Sequence, residues 1–82
     1  MNEDYGVKDL NIAAFLWATE QVKLTNTKRV DNEVLFYFSP KDIAEKLVME
    51  YYNNQAPPIQ AKELFNRLRD LKDMIFSGGN RA

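Results

Sequence analysis

The chain contains neither cysteine nor histidine. Those absences remove disulfides, zinc sites built on thiolate or imidazole, thiol nucleophiles and the commonest general base. Serine is nearly missing as well: Ser39 and Ser77 are the only two, and without an imidazole to activate either, a serine hydrolase is excluded. No long apolar run exists. The longest lies around Ile12 to Ala18, far short of the ~20 residues a membrane span needs. The acidic start, Asn2-Glu3-Asp4, is the wrong flank for a signal peptide, so the expectation is a soluble, cytoplasmic protein. Neither sign of charge dominates. Eleven basic and twelve acidic side chains leave a net charge of -1, which gives no bulk attraction to nucleic acid or membrane; any basic surface must be local.

What is present is a globular balance of 45% hydrophobic and 28% charged residues over 82 positions. There is no repeat, no low-complexity tract and no sign of a second domain, so residues 1–82 are read as one small domain. A chain of this size buries only about 60% of the surface it exposes when unfolded, for a stability of about 4 to 12 kcal/mol. Most of its apolar residues are therefore needed in the core.

The organising stretch is Val34 to Lys41, VLFYFSPK. Val, Phe and Tyr pack well on a pleated surface, and the run is short enough for a buried strand. Ser39 then offers a capping hydroxyl, Pro40 suits the first helical position, and Asp42 favours the positive helix end. Upstream, residues 1–8 are polar apart from Tyr5 and Val7 and read as a frayed arm that Tyr5 could pin. Asp9 can cap a helix to about Glu20 in which Leu10, Ala13, Ala14 and Trp17 form a stripe while Ile12, Phe15 and Leu16 fill most of the rest. Such a helix is central; a buried strand at 11–17 is the alternative, disfavoured by its alanines.

From Gln21 the period changes to two, with Val22 and Leu24 alternating with Lys23 and Thr25. Asp31-Asn32 supplies turn chemistry, and a two-residue loop there sets Arg29 opposite Val34 and Thr27 opposite Phe36. In that register Val34, Phe36 and Phe38 share a face with Thr25 and Thr27, and Leu35 and Tyr37 share the other with Val22 and Leu24. A second helix carries Ile43, Ala44, Leu47, Val48 and Tyr51 on one stripe and stops at Asn53-Asn54. Pro57-Pro58 interrupts the chain. A third helix runs from about Gln60 to Phe76 with Ala61, Leu64, Phe65, Leu68, Leu71 and Ile75 on its core face, and Ser77-Gly78-Gly79 ends it in a loose tail over 77–82. The expected fold is α+β: one two-stranded antiparallel hairpin packed with three helices, in the order helix, strand, strand, helix, helix.

Several of these residues carry a likeness. Asp9-Leu10 with Ala13-Ala14-Phe15-Leu16, the strand Val34-Leu35-Phe36-Tyr37-Phe38, the helix end from Leu47-Val48 to Tyr51-Tyr52-Asn53, and Phe65 with Leu68-Arg69, Leu71-Lys72 and Ile75 resemble domain of unknown function family 5659, a group of short bacterial and phage proteins. The likeness spans most of the chain. It implies a small accessory protein of bacterial or mobile-element origin, and it brings no activity with it, since the matching positions are mainly core residues. Asn32 stands where glycine would be typical of the hairpin turn.

The candidate sites are few. Asp42 with Glu45 and Asp70 with Asp73 are carboxylate pairs at helical spacing, but first-turn and ion-pair roles account for them. Neither a cofactor nor a small-molecule substrate is implied, and no catalysis is assigned. Trp17 and Tyr51 read as core. Leu24, Leu35 and Tyr37 on the hairpin, with Tyr52 on the second helix, are candidates for a protein-binding or self-associating surface. Lys28 and Arg29, with Lys23 beside them, and Arg67, Arg69 and Lys72 on the third helix are the alternative, a weak nucleic-acid-binding set interleaved with Glu63, Asp70 and Asp73. The function expected is a non-catalytic interaction module, with nucleic-acid binding second.

Overall fold

The computed structural model describes residues 4–80, with side chains as far as Phe76. Six elements follow one another: β1 (Tyr5–Val7), α1 (Leu10–Thr19), β2 (Lys23–Val30), β3 (Glu33–Ser39), α2 (Lys41–Tyr52) and α3 (Ala61–Asn80). The sheet has three antiparallel strands in the order β1-β3-β2, so the expected two-stranded hairpin is corrected. Residues 5–7, read from sequence as part of a frayed arm, pair with β3 as Tyr5 with Phe38, Gly6 with Tyr37 and Val7 with Phe36. Val7 is buried and Tyr5, on the same face, packs against the core as expected, and these two anchors hold a strand too short to show a period. At the other end α3 continues through Ser77-Gly78-Gly79 to Asn80. Met1–Glu3 and Arg81–Ala82 lie outside the described residues.

The β2–β3 hairpin has the expected turn and inner register, with Arg29 opposite Val34 and Thr27 opposite Phe36. Asp31 takes a positive φ of 56°, a conformation that Asp tolerates better than most residues. The register then slips by one between Leu24 and Asn26, leaving Thr25 as an extra residue. Because strand side chains alternate with period two, one added residue moves everything before it to the other face. Leu24 therefore lies opposite Phe38 and packs against the core, which corrects its expected place beside Leu35 and Tyr37. Val22 is buried as well.

Phe36 and Phe38 are fully buried on the inner face, where the helices gather. α1 is the hub: Ile12, Ala13, Ala14, Phe15, Leu16 and Ala18 are all buried, α3 packs chiefly on it, and α2 touches it and β3. Its two central alanines permit this crowding. Asp9 caps α1, its Oδ1 accepting from Asn11 N at 2.8 Å and Ile12 N at 3.2 Å. The expected cap on α2 is corrected. Ser39 is the last residue of β3, paired with Lys23, so the pleat turns its side chain away from Phe38 and the helix layer. Pro40 occupies the cap position without a side-chain hydrogen bond, after a cis peptide bond.

Candidate functional site

The sheet's outer face is open. Leu35 lies opposite Lys28 and Tyr37 lies between Gly6 and Asn26; both are half-buried. The Tyr37 ring covers Gly6 so closely that a Cβ there would stand 2.9 Å from Cε1, so much of this ring is spent on the protein's own backbone. Thr25 Oγ1 sits 2.7 Å from Asp4 Oδ2 and 3.1 Å from the Tyr37 carbonyl, and its one proton serves one acceptor at a time. Lys8 pairs with Glu33 at 3.4 Å. With Leu24 turned inward, the apolar patch expected on the hairpin shrinks to two half-buried side chains among polar neighbours.

Tyr52 is exposed, as its helical position predicts, but at the far end of α2 and against Tyr51, ring centroids 5.6 Å apart. The four candidate protein-contact residues therefore divide between the core (Leu24), the outer sheet face (Leu35, Tyr37) and α2 (Tyr52).

The basic candidates divide likewise. Lys28 belongs to the outer sheet face. Arg29 is on the opposite face, where Nη2 donates to the Ile75 carbonyl at 2.9 Å and ties the hairpin to α3. Arg67 is committed three ways: Nε to Glu63 Oε2 at 3.0 Å, Nη1 to Asp70 Oδ2 at 3.9 Å, and its guanidinium over the Trp17 ring at 4.7 Å. It is a strut between α3 and α1. Arg69 and Lys72 remain, exposed on the other flank of α3; Arg69 reaches only Asn66, at 2.7 Å, and neither forms an ion pair among the described residues.

The feature missed in the sequence is a groove across α1. Ala14 and Phe15 form its floor, and Tyr51 of α2 and Leu64, Phe65 and Leu68 of α3 its walls, around about 240 Å³. Phe15 and Tyr51 stack at 5.3 Å with a 40° tilt. Phe65, expected in the core, is 63% exposed at the lip. Its neighbours explain the correction: Leu64, Leu68, Leu71 and Ile75 fill the seam against α1, and a residue one position on from Leu64 is turned away by about 100°. Ala61 is exposed too. The groove is smaller than the ~300 to 1,000 Å³ of small-molecule sites, and it suits one or two apolar side chains. Two more open hollows, of about 420 and 410 Å³, have long polar side chains at their rims, Lys46 and Glu50 in one and Lys23 and Arg67 in the other.

Among the described residues, no group of three or more acidic side chains is placed to hold a metal ion, and no helix is long and apolar enough to cross a membrane. Neither a curated protein nor a solved structure matches the chain. A family model does, over residues 2–77, and the chain belongs to that family, Domain of unknown function (DUF5659).

Proposed function

We propose that this domain is a non-catalytic protein-binding module whose principal contact is the groove walled by Tyr51, Leu64, Phe65 and Leu68. The observation that carries the reading is Phe65. A phenylalanine 63% exposed at the lip of an apolar groove leaves unburied a ring that a small domain would gain by covering, and aromatic anchors in such grooves dominate protein interfaces. Tyr52 and Met49, both largely exposed on α2, extend the apolar surface. The outer sheet face, with Leu35 and Tyr37, lies on the other side of the sheet from the helices and is a second, separate contact. A cytoplasmic accessory role in a bacterium or mobile element, with no cofactor and no small-molecule substrate, belongs to the same proposal.

Phe65→Asp, Leu35→Asp and Tyr37→Asp separate the two faces when each is used beside the parent as bait for native partners, with thermal melting as the check on folding. The expected outcome is a partner retained by the parent and both sheet variants and lost from Phe65→Asp at an unchanged melting temperature. Loss from the sheet variants alone moves the interface to the open sheet; retention by all three overturns the proposal.

A further inference from the structure

The flanks of α3 are sorted by charge. At about 100° per residue, Lys62, Phe65, Arg69, Lys72 and Phe76 fall within an arc of about 80°, and Asp73, Asp70 and Glu63 occupy the next arc of similar width. The sorting is not symmetrical in its consequences. Glu63 and Asp70 share Arg67 as their partner, whereas Lys62, Arg69 and Lys72 have no ion pair among the described residues. A chain of net charge -1 thus presents three cations on one helix flank, none of them in an ion pair among the described residues. That flank begins at the groove, since Phe65 belongs to both, and it ends at Phe76, 71% exposed. The two rings are eleven residues apart, about 16 Å along the axis, or three helical turns.

We infer that the occupant of the groove is an amphipathic helix of a partner protein whose polar flank is acidic. The inference rests on the groove being the contact surface and adds its charge. Leu-type side chains at i, i+3, i+4 and i+7 spacing enter between Phe65 and Tyr51, and carboxylates on the adjoining turns meet Arg69 and Lys72. Three turns of such a helix span the distance between the phenylalanines. A second copy of this chain is the poorer occupant, because two of the three acids on the neighbouring arc of its α3 are already held by Arg67. Single-stranded nucleic acid could stack on the phenylalanines, but within the groove the Phe15 and Tyr51 rings are already packed against each other and three cations make a weak phosphate track.

The test uses two fluorescein-labelled peptides of about four helical turns with identical leucine anchors, one with glutamate and one with lysine at the flanking positions, beside a labelled oligothymidine. Fluorescence anisotropy at low salt is expected to give the glutamate peptide an advantage of about tenfold that fades as salt rises. Arg69→Glu with Lys72→Glu reverses that preference, and Phe65→Ala weakens both peptides alike; circular dichroism melting confirms that each variant folds. Equal binding of the two peptides by the parent leaves the groove as a protein-binding site and overturns the acidic partner. Failure of both peptides overturns the groove reading itself. An oligothymidine that displaces the glutamate peptide, and loses its hold in the charge-reversed variant, overturns the inference in favour of nucleic acid, while peptide-independent dimers in light scattering overturn it in favour of a second copy.

Discussion

Asp9 and Ser39 show how a capping residue acts only where the backbone aims it. Both precede a helix, and both carry an oxygen that could accept from the first turn. Asp9 has extended dihedrals, φ -70° and ψ 119°, and its carboxylate reaches two amide groups; Ser39 is held in β3 with its side chain on the face away from the helices. Replacing Asp9 by alanine therefore leaves two N–H groups without their acceptor and is expected to cost about 1 kcal/mol. Ser39→Ala removes no cap and is expected to stay within about 0.5 kcal/mol of the parent. Urea melts of the two variants check this, and equal losses would contradict the assignment. The sequence marks both residues as caps because Asp and Ser are both favoured there; the pleat alone tells them apart.

Between residues and the whole stand the strands, and there the sheet order decides accessibility. β2 is an edge strand of eight residues, Lys23–Val30, with one side paired to β3. Its length makes it a template for another strand, but Lys23, Lys28 and Arg29 carry three positive charges with no acid among them, and the bulge at Thr25 interrupts the edge. In an antiparallel pair of β2 strands those charges repel, a common protection of open edges. Exchanging Lys23 and Lys28 for threonine is expected to raise association at high concentration above that of the parent in analytical ultracentrifugation, without lowering the melting temperature. What could be read in advance at this scale follows the same logic. The all-round apolar character of α1, the Asp31-Asn32 turn and the Phe36 and Phe38 face were legible because each rests on local period or turn chemistry. β1 was not, since three residues carry no period, and neither was the bulge, because nothing in Lys23-Leu24-Thr25-Asn26 marks the extra residue. Phe65 was misplaced because the apolar stripe of α3 leaves room for only one of two adjacent large side chains, and the sequence does not say which. The groove could not be seen at all, as it needs three helices in place.

The molecule is thin, with extents of 40 × 34 × 18 Å, one sheet under one layer of helices. Its strands join in an order that departs from the order of the chain: β3 is central, its hairpin partner β2 lies a two-residue turn away, and its other partner β1 reaches it across the whole of α1 and β2. In kinetic language the two halves of the sheet have very different contact orders. Zipping the hairpin closes a minimal loop, whereas pairing Val7 with Phe36 closes one of about 30 residues, an entropic cost that must be met before any contact rewards it. The hairpin with α1 against it is thus expected to form the folding nucleus and β1 to join after the barrier. Val7→Ala, which deletes buried methyl groups at a cost on the order of 2 kcal/mol, should appear almost wholly in a faster unfolding rate, while Phe36→Ala should slow folding as well. Stopped-flow chevrons on the two variants read this directly, and a Val7→Ala folding limb displaced as far as that of Phe36→Ala would place β1 in the nucleus. If β1 joins last it also leaves first, so the inner edge of β3 is periodically uncovered in a protein that is otherwise folded, and the lifetime of its native state is set by three residues near its start.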